Sequence, residues 1–218
     1  MSPAPLFDCA NSRYTGRTVT ERSSFMSDVK PIRRGRPRSV ETEEAILDSA
    51  YRMIASDGLA TTTIDAIARE SGVSKMTIYK WWPSREALLI DAFLRQAASM
   101  LPIPEEGDAV ARIGRHASAY AVALSGEFGK VQLAVIAECI ARTGSARLFA
   151  ERYLGARRDV VAKIIKAGQK DGSVTSAEPA VDLYDRIYGT LFYQDAFGFR
   201  AVTADHARRL VKLVLSGA

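Results

Sequence analysis

From residue 40 onward, apolar positions recur at helical spacing. In "SVETEEAILDSAYRMIASDGL" (39–59), Ile46, Ala50, Met53 and Ile54 fall on one stripe, and Glu41, Glu43 and Glu44 fill a first turn that favours acids. Gly58 reads as its stop. "TTTIDAIARESG" (61–72) offers Thr62 as an N-cap with Asp65 three residues on, a capping-box spacing, and Ile64, Ile67 and Ala68 as the inner face. Gly72 ends that helix. Ser74 caps a third running to about Trp82, and Ser84, after the turn at Pro83, caps a fourth, "REALLIDAFLRQAASM". "LPIPEEGD" (101–108) is the clearest break. Beyond it the spacing predicts helices over about 108–124, 128–142, 145–170, 179–197 and 203–216. No strand-like alternation and no internal repeat appear, so the ordered chain reads as all-α.

The second and third segments are short, meet at a glycine turn and carry small Ala68 at their crossing, the pattern of a helix-turn-helix. From Lys75 to Lys80 only Met76 and Ile78 are apolar; Thr77 and Tyr79 add donors. A helix that buries so little suits a DNA groove. Both tryptophans stand side by side at Trp81 and Trp82. With Ile78 as the buried centre, Trp82 lies about 40° to one side and Trp81 about 60° to the other, so spacing prefers Trp82 for the core only narrowly.

Charge sharpens this picture at one end. The 218 residues carry a net charge of +5, and "KPIRRGRPR" (30–38) holds five cations, Lys30, Arg33, Arg34, Arg36 and Arg38, with no acid. Such a block is either a solvated tail or an arm that lies against phosphate. Residues 1–29 are polar and without periodicity, which predicts a disordered tail; Met26 is a candidate translation start. Cys9 and Cys139 are far apart, which argues against a disulfide framework and fits a reducing cytoplasm. His116 and His206 stand alone, with no metal-ligand cluster, and both are expected as surface or partly buried histidines. Neither a nucleophile–base pair, a phosphate loop nor a membrane-spanning stretch is present in the sequence, so an enzyme, a cofactor and a membrane partner are not expected.

The basic arm, the glycine-ended first helix, the Thr-capped second, the "GVSKMTIY" third, the aromatic pair and "SREAL" together make residues 34–93 resemble the TetR family of bacterial transcriptional regulators. The resemblance implies a three-helix DNA-binding head (40–83) behind the arm (30–39), and a helical ligand-binding and dimerisation domain (84–218). It implies a homodimer that represses from a palindromic operator and is released by a small effector. By position it places Lys75, Met76 and Tyr79 at base edges. Thr63, Thr77, Lys80, Trp81 and Arg85 fall at phosphates, and Trp82 becomes the core anchor. Asp65 departs from the family, where this position is often basic, and is expected to cap helix two.

In the C-terminal half, "VDLYDRIYGTLFYQDAFG" is apolar on two faces, with Leu183, Ile187 and Leu191 beside Tyr184, Tyr188 and Phe192. The last helix adds Leu210, Val211 and Val214. These stripes serve either intramolecular core or, as the resemblance implies, the dimer interface. Gly189 would allow close helix approach. Tyr120, Phe128, Phe149 and Tyr153, a stripe that serves either core or a ligand pocket, are the candidate pocket, and the few charges nearby, Glu138 and Glu151, favour a mainly apolar ligand over an anion or a sugar. The alternative to a repressor is a helical small-molecule-binding protein or enzyme that kept the head without operator binding.

Overall fold

The computed structural model describes residues 39–217, all of whose regular elements are helical. Helix α1 (Val40–Asp57) is capped by Ser39, whose hydroxyl accepts from the Thr42 amide. Its stripe buries Ile46, Ala50 and Ile54 completely or nearly so. Helix α2 (Ile64–Ser71) starts one residue later than the capping-box reading. Thr63, not Thr62, accepts from the Ala66 amide at 3.1 Å. Thr62 is buried and its hydroxyl donates to the Gly58 carbonyl at 2.8 Å, so the loop claims the side chain that the cap was expected to use. Gly72 then turns the chain at a positive φ of 68°, a conformation cheap only for glycine.

Helix α3 (Lys75–Trp81), capped by Ser74, is short and has weak propensity, so its position depends on what it buries. Two side chains hold it. Ile78 is fully buried, and Trp82, just past the helix end, is 2% exposed. The Trp82 indole N–H also donates to Asp91 Oδ2 at 2.8 Å on α4 (Arg85–Met100), which settles the close contest between the two tryptophans. Trp81 is half-buried and meets the Trp82 ring edge-on at 5.8 Å.

Helix α4 packs against both α1 and α6 (Glu127–Thr143), and the buried core is continuous from Ile46 to Leu215, across residues 83 and 84. Helix α5 (Ala109–Leu124) ends close to the start of α6. A Cβ on Gly129 would stand 1.9 Å from the Leu124 carbonyl oxygen, so only glycine permits this tight return. The next two helices each contain a π-helical turn. In α7 (147–171) it is Ala150–Leu154, and in α8 (180–196) it is Asp185–Gly189. The final helix, α9 (Ala204–Ser216), lies along α5.

Most of the expected dimer stripe is buried within this chain. Leu183, Ile187 and Leu191 are fully buried, and Tyr184, Tyr188, Val211 and Val214 nearly so, while Phe192 and Leu210 are half-buried. The reason is that α8 is packed by α7 on one side and by α5 and α9 on others, which uses up both of its apolar faces. The open apolar surface is instead Tyr193, Phe197 and Phe199, rings 5.1 to 6.0 Å apart, with Leu213 on α9 also exposed. Gly189 mediates no close approach, since a Cβ there would meet nothing within 4 Å.

Trp82→Ala is expected to cost about 3–5 kcal/mol in a thermal or denaturant melt, since it removes a large buried ring. Trp81→Ala should cost under about 1 kcal/mol. The reverse order would make Trp81 the anchor.

Candidate functional site

The outer face of α3 is where the head meets solvent. Met76 is 79% exposed and Tyr79 54%, with Lys75 and Lys80 exposed beside them. Lys75 and Tyr79, and likewise Met76 and Lys80, are four residues apart and so share one side of the helix. The result is a ridge of two cations, a thioether and a phenol.

Asp65 does not cap α2. Its carboxylate lies in the first turn, 2.5 Å from Lys75 Nζ, and so tethers the start of α3 to the start of α2. Both groups are more than half exposed, so the pair holds Lys75 only loosely. Thr63 is exposed; its hydroxyl accepts the capping bond and keeps its own proton for a further acceptor. Thr77 is half-buried with its hydroxyl 3.0 Å from that of Ser74.

Arg85 departs from the expected phosphate contact. It turns inward, donating from Nη1 to Glu138 Oε1 at 2.7 Å, from Nε to the Thr62 carbonyl at 2.8 Å, and from Nη2 to the Leu59 carbonyl. A guanidinium committed to three internal acceptors has little left for DNA. The arm cations Lys30, Arg33, Arg34, Arg36 and Arg38 lie outside the described residues, as does the tail before them.

The second feature is a cavity of about 140 Å³ within the C-terminal half. Three of the four expected residues line it, Tyr120, Phe149 and Tyr153. Phe128 does not; its ring packs 4.8 Å from Phe93 in the core. The remaining wall includes Gln132, Tyr184, Tyr188 and Phe192, with His116 and Arg157 at its polar end. Both π-turns contribute, through Tyr153 and Leu154 in α7 and through Asp185, Tyr188 and Gly189 in α8. A wider depression of about 590 Å³ outside α1 and α2 is walled by exposed, charged Asp48, Arg52, Glu70 and Glu127, and resembles open surface more than a binding chamber.

His116 is buried more deeply than the surface or partly buried position expected of it. It is 2% exposed, with Nδ1 2.6 Å from the Tyr188 hydroxyl and Nε2 2.9 Å from Arg157 Nη2. The signal was present in the sequence. His116/Tyr120, Tyr153/Arg157 and Tyr184/Tyr188 are three pairs at four-residue spacing on three different helices, but nothing in their order showed that the pairs converge.

Burial first, and the Arg157 charge second, push the His116 pKa down to about 3, so the ring is neutral at pH 7. In the unfolded chain it returns to about 6.5. The unfolded state therefore takes up a proton that the fold refuses: the stability is present above pH 6.5 and is lost as pH falls toward 3. Between pH 6.5 and 5 the loss should be about 2 kcal/mol. Melts across that window, compared with His116→Gln, will show it; equal slopes in both proteins would remove His116 as the cause.

Comparison with known proteins accounts for both halves of this arrangement. Residues 46–92 match the family described as bacterial regulatory proteins, tetR family. Residues 103–214 match the one described as tetracyclin repressor-like, C-terminal domain. Over 185 residues the chain is 32% identical to YdeS of Bacillus subtilis, an uncharacterized HTH-type transcriptional regulator, covering 85% of this chain and 93% of YdeS. Among solved structures, the TetR family transcription regulator SCO0332 gives a TM-score of 0.71 at 24% identity, over 82% of this chain and 98% of its own. FadR from Bacillus subtilis, solved in complex with stearoyl-CoA, gives 0.60 at 20% identity, over 80% of this chain and 98% of its own. At those identities the structural likeness is one of fold, whereas the family matches and YdeS carry the assignment. The exposed ridge on α3 is thus part of a DNA-binding head, and the chain belongs to the TetR family of bacterial transcriptional regulators.

Proposed function

We propose that this regulator is a homodimeric repressor that grips a palindromic operator with two α3 helices and releases it when a small ligand with an apolar body fills the cavity. The observation that carries the reading is the α3 ridge: Met76 and Tyr79 are large, apolar in part and exposed, on a helix whose inner face is fully committed. Lys75, Met76 and Tyr79 reach base edges in the major groove, where Lys75 can donate to guanine and Met76 or the Tyr79 ring can contact a thymine methyl. Thr63, Thr77, Lys80 and Trp81 meet the phosphates. Arg85 is withdrawn from that group. The arm cations add affinity by counterion release.

A polar relay supports coupling between cavity and head. Asp91 Oδ2 accepts from Trp82 Nε1 at 2.8 Å and from Arg152 Nη2 at 3.1 Å. Arg152 belongs to the α7 π-turn and is followed directly by Tyr153 in the cavity wall. A ligand that shifts this turn pulls on the residue anchoring α3. Successive major grooves fix the spacing of the two heads, so a small rotation loses contacts at both half-sites. The ligand must favour the released state, because equal affinity for both states shifts nothing.

A second copy is the occupant proposed for the Tyr193, Phe197, Phe199 and Leu213 surface. A cluster of touching aromatic rings this exposed marks an interface, and a palindrome requires two heads.

Tyr79→Ala should weaken operator binding by about 1–3 kcal/mol with little change on scrambled DNA. Lys80→Ala should weaken both and flatten the salt dependence by about one unit of slope. Equal losses on both DNAs for Tyr79 would end its base-reading role, and failure of the native protein to prefer any DNA would favour a helical binder that only kept the head. For the interface, Phe197→Glu with Phe199→Glu should give monomers by light scattering at an unchanged melting temperature. Leu191→Glu should instead unfold the chain, since it buries an unpaired carboxylate. Dimers that survive the double change would move the interface elsewhere.

A further inference from the structure

We propose that the cavity takes a small aromatic acid, a single ring whose carboxylate is held by Arg157 and the Tyr188 hydroxyl. The ligand class deepens the function proposed above and depends on it only for its regulatory consequence.

The first argument is an uncompensated charge. Arg157 donates to the Leu101 carbonyl at 2.5 Å and to His116 Nε2 at 2.9 Å, and lies 3.4 Å from the Tyr153 hydroxyl. All three partners are neutral, and among the described residues Arg157 forms no ion pair with a carboxylate. The acid in the cavity wall, Asp185, is taken by Arg158, with Nε to Oδ1 at 2.9 Å. A half-buried guanidinium that faces dipoles and the Tyr153 ring at 5.7 Å, but no carboxylate partner, gains from an incoming anion, and its planar fork matches a carboxylate.

The second argument is the direction of the hydrogen bonds. A guanidinium only donates, so the Arg157–His116 contact is a hydrogen bond in the tautomer whose Nε2 is unprotonated and accepts. The neutral ring then carries its proton on Nδ1 and donates it to the Tyr188 oxygen. Tyr188 is left with its own O–H proton and no acceptor for it among the described residues. Burial keeps the Tyr188 and Tyr184 phenols protonated well above neutral pH. Arg157 differs from Arg85 in having no carboxylate partner and in its Nε–H, which is bonded to nothing among the described residues; with the Tyr188 O–H it suits a carboxylate and disfavours an amine.

Size and walls settle the rest. About 140 Å³ is close to the roughly 150 Å³ of an engineered apolar cavity that holds one benzene. It is far too small for an acyl-CoA such as that bound by the FadR neighbour. Tyr184 and Tyr188 stack at 4.6 Å, and Phe149 and Tyr153 stand 5.2 Å apart, offering ring faces and edges to an aromatic guest.

The test is calorimetric titration of the full-length, DNA-free protein with benzoate, benzamide, acetate and dodecanoate. Benzoate should bind at least roughly tenfold tighter than benzamide, which has its shape without its charge, and than acetate, which lacks the ring. Arg157→Gln should lose roughly ten- to hundredfold for benzoate and leave benzamide unchanged. Tyr188→Phe, which deletes the donor but keeps the ring, should lose several-fold, and covers the case in which Arg157→Gln loosens the fold. Benzamide binding as tightly as benzoate, benzoate affinity indifferent to both substitutions, or dodecanoate outcompeting benzoate would each overturn the assignment. Operator release is read separately. Benzoate that binds through Arg157 but leaves the operator complex intact upholds the ligand class and sinks the regulatory reading instead.

Discussion

Arg85 is the side chain on which the geometry of the head depends. Its guanidinium sits where three pieces of chain meet: the loop between α1 and α2 through the Leu59 and Thr62 carbonyls, the start of α4, and α6 through Glu138. Those carbonyls belong to a loop with few regular partners, and Glu138 is almost wholly buried, so each acceptor would be costly to leave unmade. A buried ion pair contributes little net stability against well-packed apolar groups, yet removing one partner costs about 3–5 kcal/mol. Arg142, 3.2 Å from the same Glu138 oxygen, softens that loss without replacing the carbonyl contacts. What Arg85 supplies is orientation. It ties the loop before α2 to α4 and α6, and so sets how the recognition helix of the DNA-binding head is presented.

The head and the cavity are one mechanical body. The core runs without a break through α1, α4, α5 and α6, so no hinge of exposed linker separates the recognition helix from the chamber. Among the polar ties that cross this body are Arg85 to Glu138 and Trp82 through Asp91 to Arg152. The second ends on the π-turn of α7. A π-turn adds a residue to a helix and redirects the side chains around it, at a cost that places such turns mostly at functional sites. Here the two π-turns face one chamber from α7 and α8, and they carry Tyr153 and Tyr188, whose helices also supply Arg157 and Tyr184.

Much of this was legible without coordinates, because it is set by local rules. Helix existence and the breaks near residues 58, 72, 83 and 101–108 follow from apolar periodicity, caps and glycines, each of which acts within a few residues along the chain. The α3 ridge was readable for the same reason: a helix with one committed apolar residue, Ile78, must expose the rest. The sequence therefore determined an all-helical chain, a helix-turn-helix head and the identity of its outward side chains. Tertiary structure decided the matters that depend on which helices meet. It buried most of the two-faced α8 within the chain, because two-sided burial looks the same in a pattern whether the second neighbour is another helix or another copy. It turned Arg85 inward and Asp65 toward Lys75, because a charge selects its partner by distance through space. And it gathered His116, Arg157 and Tyr188 from three helices into one donor chain: their four-residue pairings are visible along the chain but their convergence is not, since each residue acquires its chemistry only from the burial and hydrogen bonds that the fold imposes.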